Sequence, residues 1–335
     1  MYRIIKFLAV PLISLFVLVI LVFILSNEPF VTLYYFFIGP FGNIFSFGNM
    51  INNAILFVFG ALGITIAMKA GNLNLGGEGQ VYFGAFFAAI VAFTGFGKIG
   101  IILAITAGVL SAGTLAAFSG FCKTKWNINE LITSFLVSCA VIPVVNYLVT
   151  GPFLDPDTSL LSTKKIPEST RLTVLHDISG INTSIFIAAV LVILVFFFIN
   201  KTKTGYELRM TGINPMFARY GGIYIKLNTV MAMAISGGFY GLAGSLAILG
   251  IYHSVIKEFS SGLGWSALTV ALLSGFSVQA IIPAAIFFAW IGAGSRIAMQ
   301  NTGLTYEVAL VIQAVILILC AALLVKRSFF TGEKN

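Results

Sequence analysis

Ten consecutive residues, Gly71–Gln80 (GNLNLGGEGQ), hold two asparagines, one glutamate, one glutamine and four glycines. Asn72, Asn74 and Gln80 can each donate and accept hydrogen bonds, and Glu78 accepts when ionised. Such a set suits a polar, uncharged solute or its water. It suits equally well a broken helix that satisfies its own backbone and pairs with a neighbour, because small and polar residues hold membrane helices together. Glycines let the chain turn there and pack closely.

The surroundings make this stretch unusual. Hydrophobic residues are 59% of the 335 positions and charged residues 9%, against about 25% charged in a soluble domain. The chain is therefore read as an all-α, polytopic integral membrane protein. Polar groups of a spanning segment cannot face lipid unpaired. Ala70–Gln80 must line a polar path, lie buried in protein, or reach the aqueous boundary, and each option points towards transport.

A span needs about 20 apolar residues. On that basis ten spans are predicted, near Ile5–Leu25, Met50–Met68, Val81–Thr94, Ile99–Phe121, Glu130–Val149, Thr183–Ile199, Leu227–Ile251, Leu263–Phe276, Ile281–Ser295 and Glu307–Val325. The first is a retained helix, since it is longer than a signal-peptide core and no cleavage site follows. Thr32–Gly48, aromatic and Gly-rich, is interfacial or half-inserted. Thirteen of the 19 Lys and Arg residues fall on the cytoplasmic side if the N-terminus is inside, which predicts both termini inside. The whole chain, 1–335, reads as one transmembrane domain. Its two long hydrophilic segments are 150–182, placed outside, and 201–226, placed in the cytoplasm with five basic residues and one acid.

A weak internal repeat is visible. Phe59–Phe86 runs Gly-rich helix, broken polar loop, helix, and Phe239–Leu272 follows the same plan. The predicted topology puts the first loop inside and the second outside, so the halves would be inverted. Inverted repeats are familiar in secondary transporters, with the path at the repeat interface.

Other candidates are local. In Leu208–Ile223 (LRMTGINPMFARYGGI), Asn214 and Pro215 are the cap and first turn of a short helix, and Gly221-Gly222 stops it. Met216, Phe217 and Tyr220 on that helix could enter a partner's hydrophobic groove; an ordinary juxtamembrane loop is the plainer reading. Asn127 and Glu130 have capping-box spacing. Trp265 more readily marks the membrane interface than stacks on a solute. His176 and His253 are isolated, which argues against a metal site. Cys122, Cys139 and Cys320 show no paired spacing. No Ser/His/Asp arrangement and no G-x-x-x-x-G-K-[ST] loop occurs, so if ATP drives the protein, a separate subunit binds it. The net charge of +8 lies in short loops and does not imply nucleic acid.

Ala70–Gln80 (AGNLNLGGEGQ) resembles the AG-x-x-(N/D)-(I/L)-(G/S)-x-EGQ signature of ABC importer permeases of the branched-chain amino acid and ribose class. Its GGEGQ form is most similar to the purine/pyrimidine nucleoside subgroup. The resemblance continues in order through Asn129–Thr133, TGINPMFARYGGI, GFYGLAGSLAILG, GWSALTVALLSG (Gly264–Gly275) and AAIFFAWIGAGSRIAMQ, and so covers nearly the whole chain. Two places depart from the pattern. Val137-Ser138-Cys139 stands where the family often has Leu-Asn-Tyr, and Ser277-Val278 where it often has Asn-Pro.

The resemblance implies a multi-pass permease of the bacterial cytoplasmic membrane, without enzymatic activity or cofactor of its own. Its partners would be cytosolic ATPase subunits that bind ATP and Mg²⁺, a second permease, expected to be a different chain, and an extracytoplasmic solute-binding lipoprotein. Gly212, Asn214, Pro215, Met216, Phe217, Arg219 and Tyr220 would form the coupling helix that docks on the ATPase. Asn72, Asn74, Glu78, Gln80 and Trp265 would line the path of a nucleoside. A ribose-type sugar or branched-chain amino acid is the alternative cargo. A different class of protein, an ion-coupled transporter or channel, would use Glu78, Glu130 and Glu307 as ion or proton sites.

Overall fold

Apolar runs of this length must satisfy their backbone internally, which only helices achieve without closing a barrel. The computed structural model describes residues 2–303 together with Val311, Ala314, Val315 and Ile318, and its order is almost wholly helical. The helices are α1 (Tyr2–Leu25), α2 (Pro29–Phe37), α3 (Gly39–Gly42), α4 (Ile44–Lys69), α5 (Gly77–Ala92), α6 (Gly97–Trp126) and α7 (Glu130–Thr150). After them come α8 (Ser184–Lys201), α9 (Lys203–Ile213), α10 (Pro215–Tyr220), α11 (Ile225–Ala247), α12 (Leu263–Leu273) and α13 (Val278–Asn301). A π-helical turn, Ile248–Tyr252, extends α11. Two short strands, β1 (Val174–His176) and β2 (Ile181–Asn182), lie between α7 and α8.

Nine of the ten expected spans are helices here; the tenth, Glu307–Val325, falls almost wholly outside the described residues. Among the described residues, α4, α6, α7, α8, α11 with its π turn, and α13 are long and apolar enough to cross a membrane. Two of the expected spans are shorter. The 16 residues of α5 and 11 of α12 reach about 24 and 17 Å, against a hydrocarbon core of about 30 Å. The stretch Thr32–Gly48 is divided among α2, α3 and the start of α4, which begins six residues before the expected Met50.

The chain forms two compact units. One comprises Met1–Ala54, His176–Ile181 and Thr269–Asn335. In it α2 packs on α13: the Trp290 indole N–H donates to the Phe37 carbonyl at 3.2 Å, and Gly294 leaves room for the Phe36 backbone.

The other unit, Ile55–Leu175 with Asn182–Leu268, is built on α5, α6 and α11. In α6 a small residue recurs every fourth position, at Gly100, Ala104, Gly108, Ala112, Ala116 and Gly120, and all six are buried. The stripe lets backbones approach. A Cβ on Gly84 of α5 would lie 2.5 Å from the Gly241 Cα of α11 and 3.0 Å from the Gly108 carbonyl of α6. Small residues are the usual currency of such contacts, since lipid supplies no hydrophobic drive between helices. All residues from Tyr240 to Gly250 are buried, so α11 runs through the centre of this unit.

Candidate functional site

The sequence motif divides into two structures. Ala70–Gly76 is the break, and Gly77–Gln80, expected to belong to it, is instead the first turn of α5. The break begins where α4 ends. Gly71 adopts φ +72°, a left-handed conformation that costs glycine little, and the Asn72 N–H returns to the Ala67 carbonyl at 3.0 Å.

Side chains then satisfy what the helix no longer does. The Asn74 and Gln80 amides pair reciprocally, at 2.7 and 3.0 Å. Asn74 also donates to Ser236 of α11 at 3.1 Å and accepts from the Gly76 N–H at 3.0 Å. A helix start leaves four backbone N–H groups without partners, and α7 supplies an acceptor to one of them and another to the residue before the cap. Ser134 Oγ accepts from Leu75 N–H at 3.1 Å, and Ser138 Oγ from Gly79 N–H at 2.7 Å. Glu130, Ser134 and Ser138 are spaced by four and all buried, so one stripe of α7 serves the break.

The glycines of GGEGQ make room for different neighbours. A Cβ on Gly77 would collide with the Tyr240 ring of α11, and one on Gly79 would lie 2.7 Å from the Ser138 Cα of α7. Between them Glu78 points to α12. Its Oε1 accepts the Gly262 N–H at 2.9 Å and its Oε2 the Gly264 N–H at 2.8 Å. Gly264 sits directly against the Gly77–Glu78 backbone, with no space for a Cβ. The N-termini of α5 and α12 therefore converge, each bringing about half a positive charge from its helix dipole. One carboxylate in the first turn of α5 balances both.

The two breaks lie at opposite ends of α7, which at 21 residues is about 31 Å long. The first meets the α6–α7 connection: Lys123 Nζ donates to Asn72 Oδ1 at 2.8 Å and to Glu130 Oε1 at 2.7 Å. Asn129, not Asn127, caps α7 by accepting from Leu131 N–H, so the capping box expected between Asn127 and Glu130 does not form. Asn127 terminates α6 at φ +53°, and Glu130 pairs with Lys123 instead. The second break, His253–Gly262, meets the segment after α7 through backbone bonds, including Thr163 N–H to the Val255 carbonyl and Ile166 N–H to the His253 carbonyl. Tyr82 ties it to α5 and α7: its hydroxyl donates to Asn146 Oδ1 at 2.8 Å and accepts from the Glu258 N–H at 3.2 Å. The broken loops of the predicted repeat thus stand at opposite ends, and their half-helices meet between.

Of the residues expected on a solute path, Asn72, Asn74 and Gln80 are each 1% exposed and bonded within the protein. Glu78 is half-buried. Trp265, in the first turn of α12, is 40% exposed and meets Phe135 edge-on. Glu78 accepts from Gly264, the residue before Trp265; Asn74 and Gln80 bond each other, and Asn72 bonds Lys123 instead.

The lever residues are separately placed. Asn214 Oδ1 accepts from Phe217 N–H at 2.9 Å, Pro215 opens α10, and Gly221 follows its end. Met216, Phe217 and Tyr220 are 60, 63 and 85% exposed, Arg219 is exposed, and Ala218 alone of this helix is buried. Gly212, in the last turn of α9, faces the other way: a Cβ there would overlap the Lys69 carbonyl and lie 2.7 Å from Gly71 N.

Ser134, Lys123, Tyr240 and Asn146 carry no role in the sequence reading, and Ser138 enters it only as a departure from the family pattern. The signal for the serines was their four-residue spacing from Glu130 within an apolar run. Among the described residues no group of His, Cys, Asp and Glu could hold a metal ion.

Comparison with known proteins agrees with this architecture. Residues 46–321 match the family described as branched-chain amino acid transport system / permease component. A probable riboflavin import permease of Treponema pallidum is 32% identical over 96% of this chain and 86% of its own length. A guanosine ABC transporter permease of Bacillus subtilis is 28% identical over 85% of this chain and 83% of its own. A nucleoside ABC transporter permease of Lactococcus lactis is 26% identical over 85% and 81%. No solved structure matches the chain significantly. The chain belongs to this permease family, and is a multi-pass inner-membrane permease subunit of an ABC transporter.

Proposed function

We propose that this permease carries nucleosides into the cell, past the junction where α5 and α12 meet. The observation that carries the reading is the junction itself, where Glu78 accepts from the N–H groups of Gly262 and Gly264, the latter next in sequence to Trp265. The only carboxylate in the signature already accepts two backbone N–H groups, so both its oxygens are engaged by the protein rather than offered to an amino-acid ammonium. Beside it an exposed indole offers a face for a planar heterocycle. The guanosine and nucleoside permeases among its relatives support the same cargo. Riboflavin is a second reading, favoured by the relative that aligns over 96% of the chain; it too joins a flat heterocycle to a polyhydroxylated chain. Uptake of radiolabelled guanosine by cells expressing the whole transporter tests the choice. Competition by other nucleosides is expected; competition by ribose or leucine but not by nucleosides would overturn it.

In the same reading both termini and residues 201–226 face the cytoplasm, and residues 150–182 face outward to a solute-binding lipoprotein. A second permease, different in sequence, completes the membrane part. Cytosolic ATPase subunits bind ATP and Mg²⁺ and dock on α10, whose outward Met216, Phe217 and Tyr220 form a small apolar face. Co-purification of the ATPase should be lost on Met216→Asp with Phe217→Asp; retention would sink the docking assignment.

A further inference from the structure

The turn Lys69–Asn72 is gripped from two sides. On one side the last turn of α9 presses on it backbone to backbone: Gly212 has no space for a Cβ against Lys69 and Gly71, and a Cβ on Gly71 would lie 3.1 Å from the Gly212 Cα. On the other side Lys123 bonds Asn72 and Glu130 at once. Lys123 is in the last turn of α6 and Glu130 in the first turn of α7. Each charge thus sits at the helix end whose dipole favours it, which fixes the pair without help from the break. The Glu130 side chain is 10% exposed and that of Lys123 33%, so the ammonium lies mostly out of water, between two acceptors.

Beyond this turn the chain passes directly to Leu75 and Gly79, held by Ser134 and Ser138 of α7, and to Glu78, which accepts from the Gly262 and Gly264 N–H groups at the start of α12. The path from α10 to the half-helix junction therefore has two joints. The first is the close contact of α9 on Lys69–Gly71. The second is the Lys123 bridge, which ties the turn to the α6–α7 hairpin, and α7 in turn holds the start of α5.

We propose that Lys123 is a positioning residue of the transport cycle: by joining Asn72 to Glu130 it yokes the turn under α9 to the α6–α7 hairpin, so that displacement of the α9–α10 lever reaches Glu78. This rests on the reading that α10 docks on the ATPase. Without the bridge, the turn yields locally when α9 moves, and the half-helices stay where they are. ATP is then hydrolysed without moving solute.

The test uses the whole transporter, purified and reconstituted with its ATPase and binding protein, carrying Lys123→Met, Lys123→Arg or Glu130→Gln. ATPase co-purification, ATP hydrolysis and uptake are measured on each. For Lys123→Met, co-purification and basal hydrolysis should match the parent, and the uptake maximum should fall about tenfold, with the solute KM changed less than about twofold. Glu130→Gln should show the same split more weakly. Lys123→Arg, which keeps the charge and can reach both oxygens, should restore uptake per ATP hydrolysed. Uptake and hydrolysis falling together, or parental uptake in Lys123→Met, would overturn the proposal. Should Lys123→Met fail to assemble, Glu130→Gln decides by the same ratio. Failure of the docking reading is recognised separately, because the Met216/Phe217 variant would then retain the ATPase.

Discussion

The two breaks in the helical frame solve one problem by different means. In Ala70–Gly76 the interrupted backbone is served by side chains: Asn74, Ser134, Ser138 and the Gln80 amide, all buried. In His253–Gly262 three backbone bonds to residues 161–166 do much of the work, beside side-chain acceptors on Thr163, Tyr82 and Glu78, and three non-glycine residues, His253, Glu258 and Ser261, take positive φ. Lys257, Glu258 and Ser261 are also exposed to the surroundings. A side-chain solution specifies residue types, so it leaves a recognisable motif. A backbone solution tolerates many residue types and leaves little trace.

That contrast predicts a gradient of sensitivity. The largest effect should come from Glu78→Ala. It strips the acceptor from two N–H groups and leaves two helix ends of like sign facing each other. Hydrogen bonds to a charged group contribute about 1.5–3 kcal/mol each, so thermal unfolding in detergent should show a loss of about 3 kcal/mol or more, with uptake abolished. Glu78→Gln, which retains one strong acceptor, should lose about half as much. Equal losses would mean that the charge, rather than the two acceptors, matters.

Gly79→Ala should come next. Its Cβ would press on the Ser138 backbone, which no side-chain change can relieve, at a cost of about 1–3 kcal/mol. Gly77→Ala meets the Tyr240 ring instead, so adding Tyr240→Ala should recover part of the loss. A double-mutant cycle in melting temperature separates the cases: coupling for the Gly77–Tyr240 pair, none between Gly79 and Tyr240.

Ser138→Ala should cost about 1–3 kcal/mol, because the buried Gly79 N–H is left without an acceptor. Ser261→Gly in the second break should do the opposite. It relieves a residue at φ +37° and should be neutral or stabilising by up to about 1 kcal/mol in the same melts. Destabilisation by Ser261→Gly would break the comparison, since it would show that the second break depends on its own side chains as the first does.

The smallest expected effect is a pH dependence confined to the second break. Burial, with Arg171 and Lys165 nearby, holds the His253 imidazole below its ordinary value of 6.5. Its neutral form is thus favoured in the folded state. The contribution is complete above the unfolded value and is lost as pH falls through the lowered folded one. Melting temperature should drop as pH falls below about 6.5 in the parent and less in His253→Gln. An unchanged slope in the variant would remove His253 from the account.

Much of the molecule was legible in the residues. The apolar runs mark nine described helices at nearly the right places, because a buried backbone in lipid has no other open-ended solution. Asn214-Pro215 and Gly221-Gly222 mark α10 at both ends, because capping is a local bond between neighbours in sequence. The start of α5 lies four residues before the expected Val81, because Gly77–Gln80 looks unfit for a helix in sequence, whereas Tyr240, Ser138 and α12 occupy the space that larger side chains would take. The Asn127–Glu130 capping box failed for a related reason. Lys123, one helix turn before Asn127, offers Glu130 a charge where a cap offers only an N–H.

By itself the sequence determined the membrane class, the helical frame, the short lever after Asn214 and the signature that places the chain among permeases. These depend on composition, periodicity and bonds between near neighbours. Only the tertiary structure decided what the signature's residues do. Asn74 meets Ser236, Gly79 meets Ser138 and Glu78 meets Gly264, and each partner comes from a different helix far along the chain. Hydrogen bonds and close contacts act over a few ångströms, so no spacing in the sequence can announce them before the helices pack.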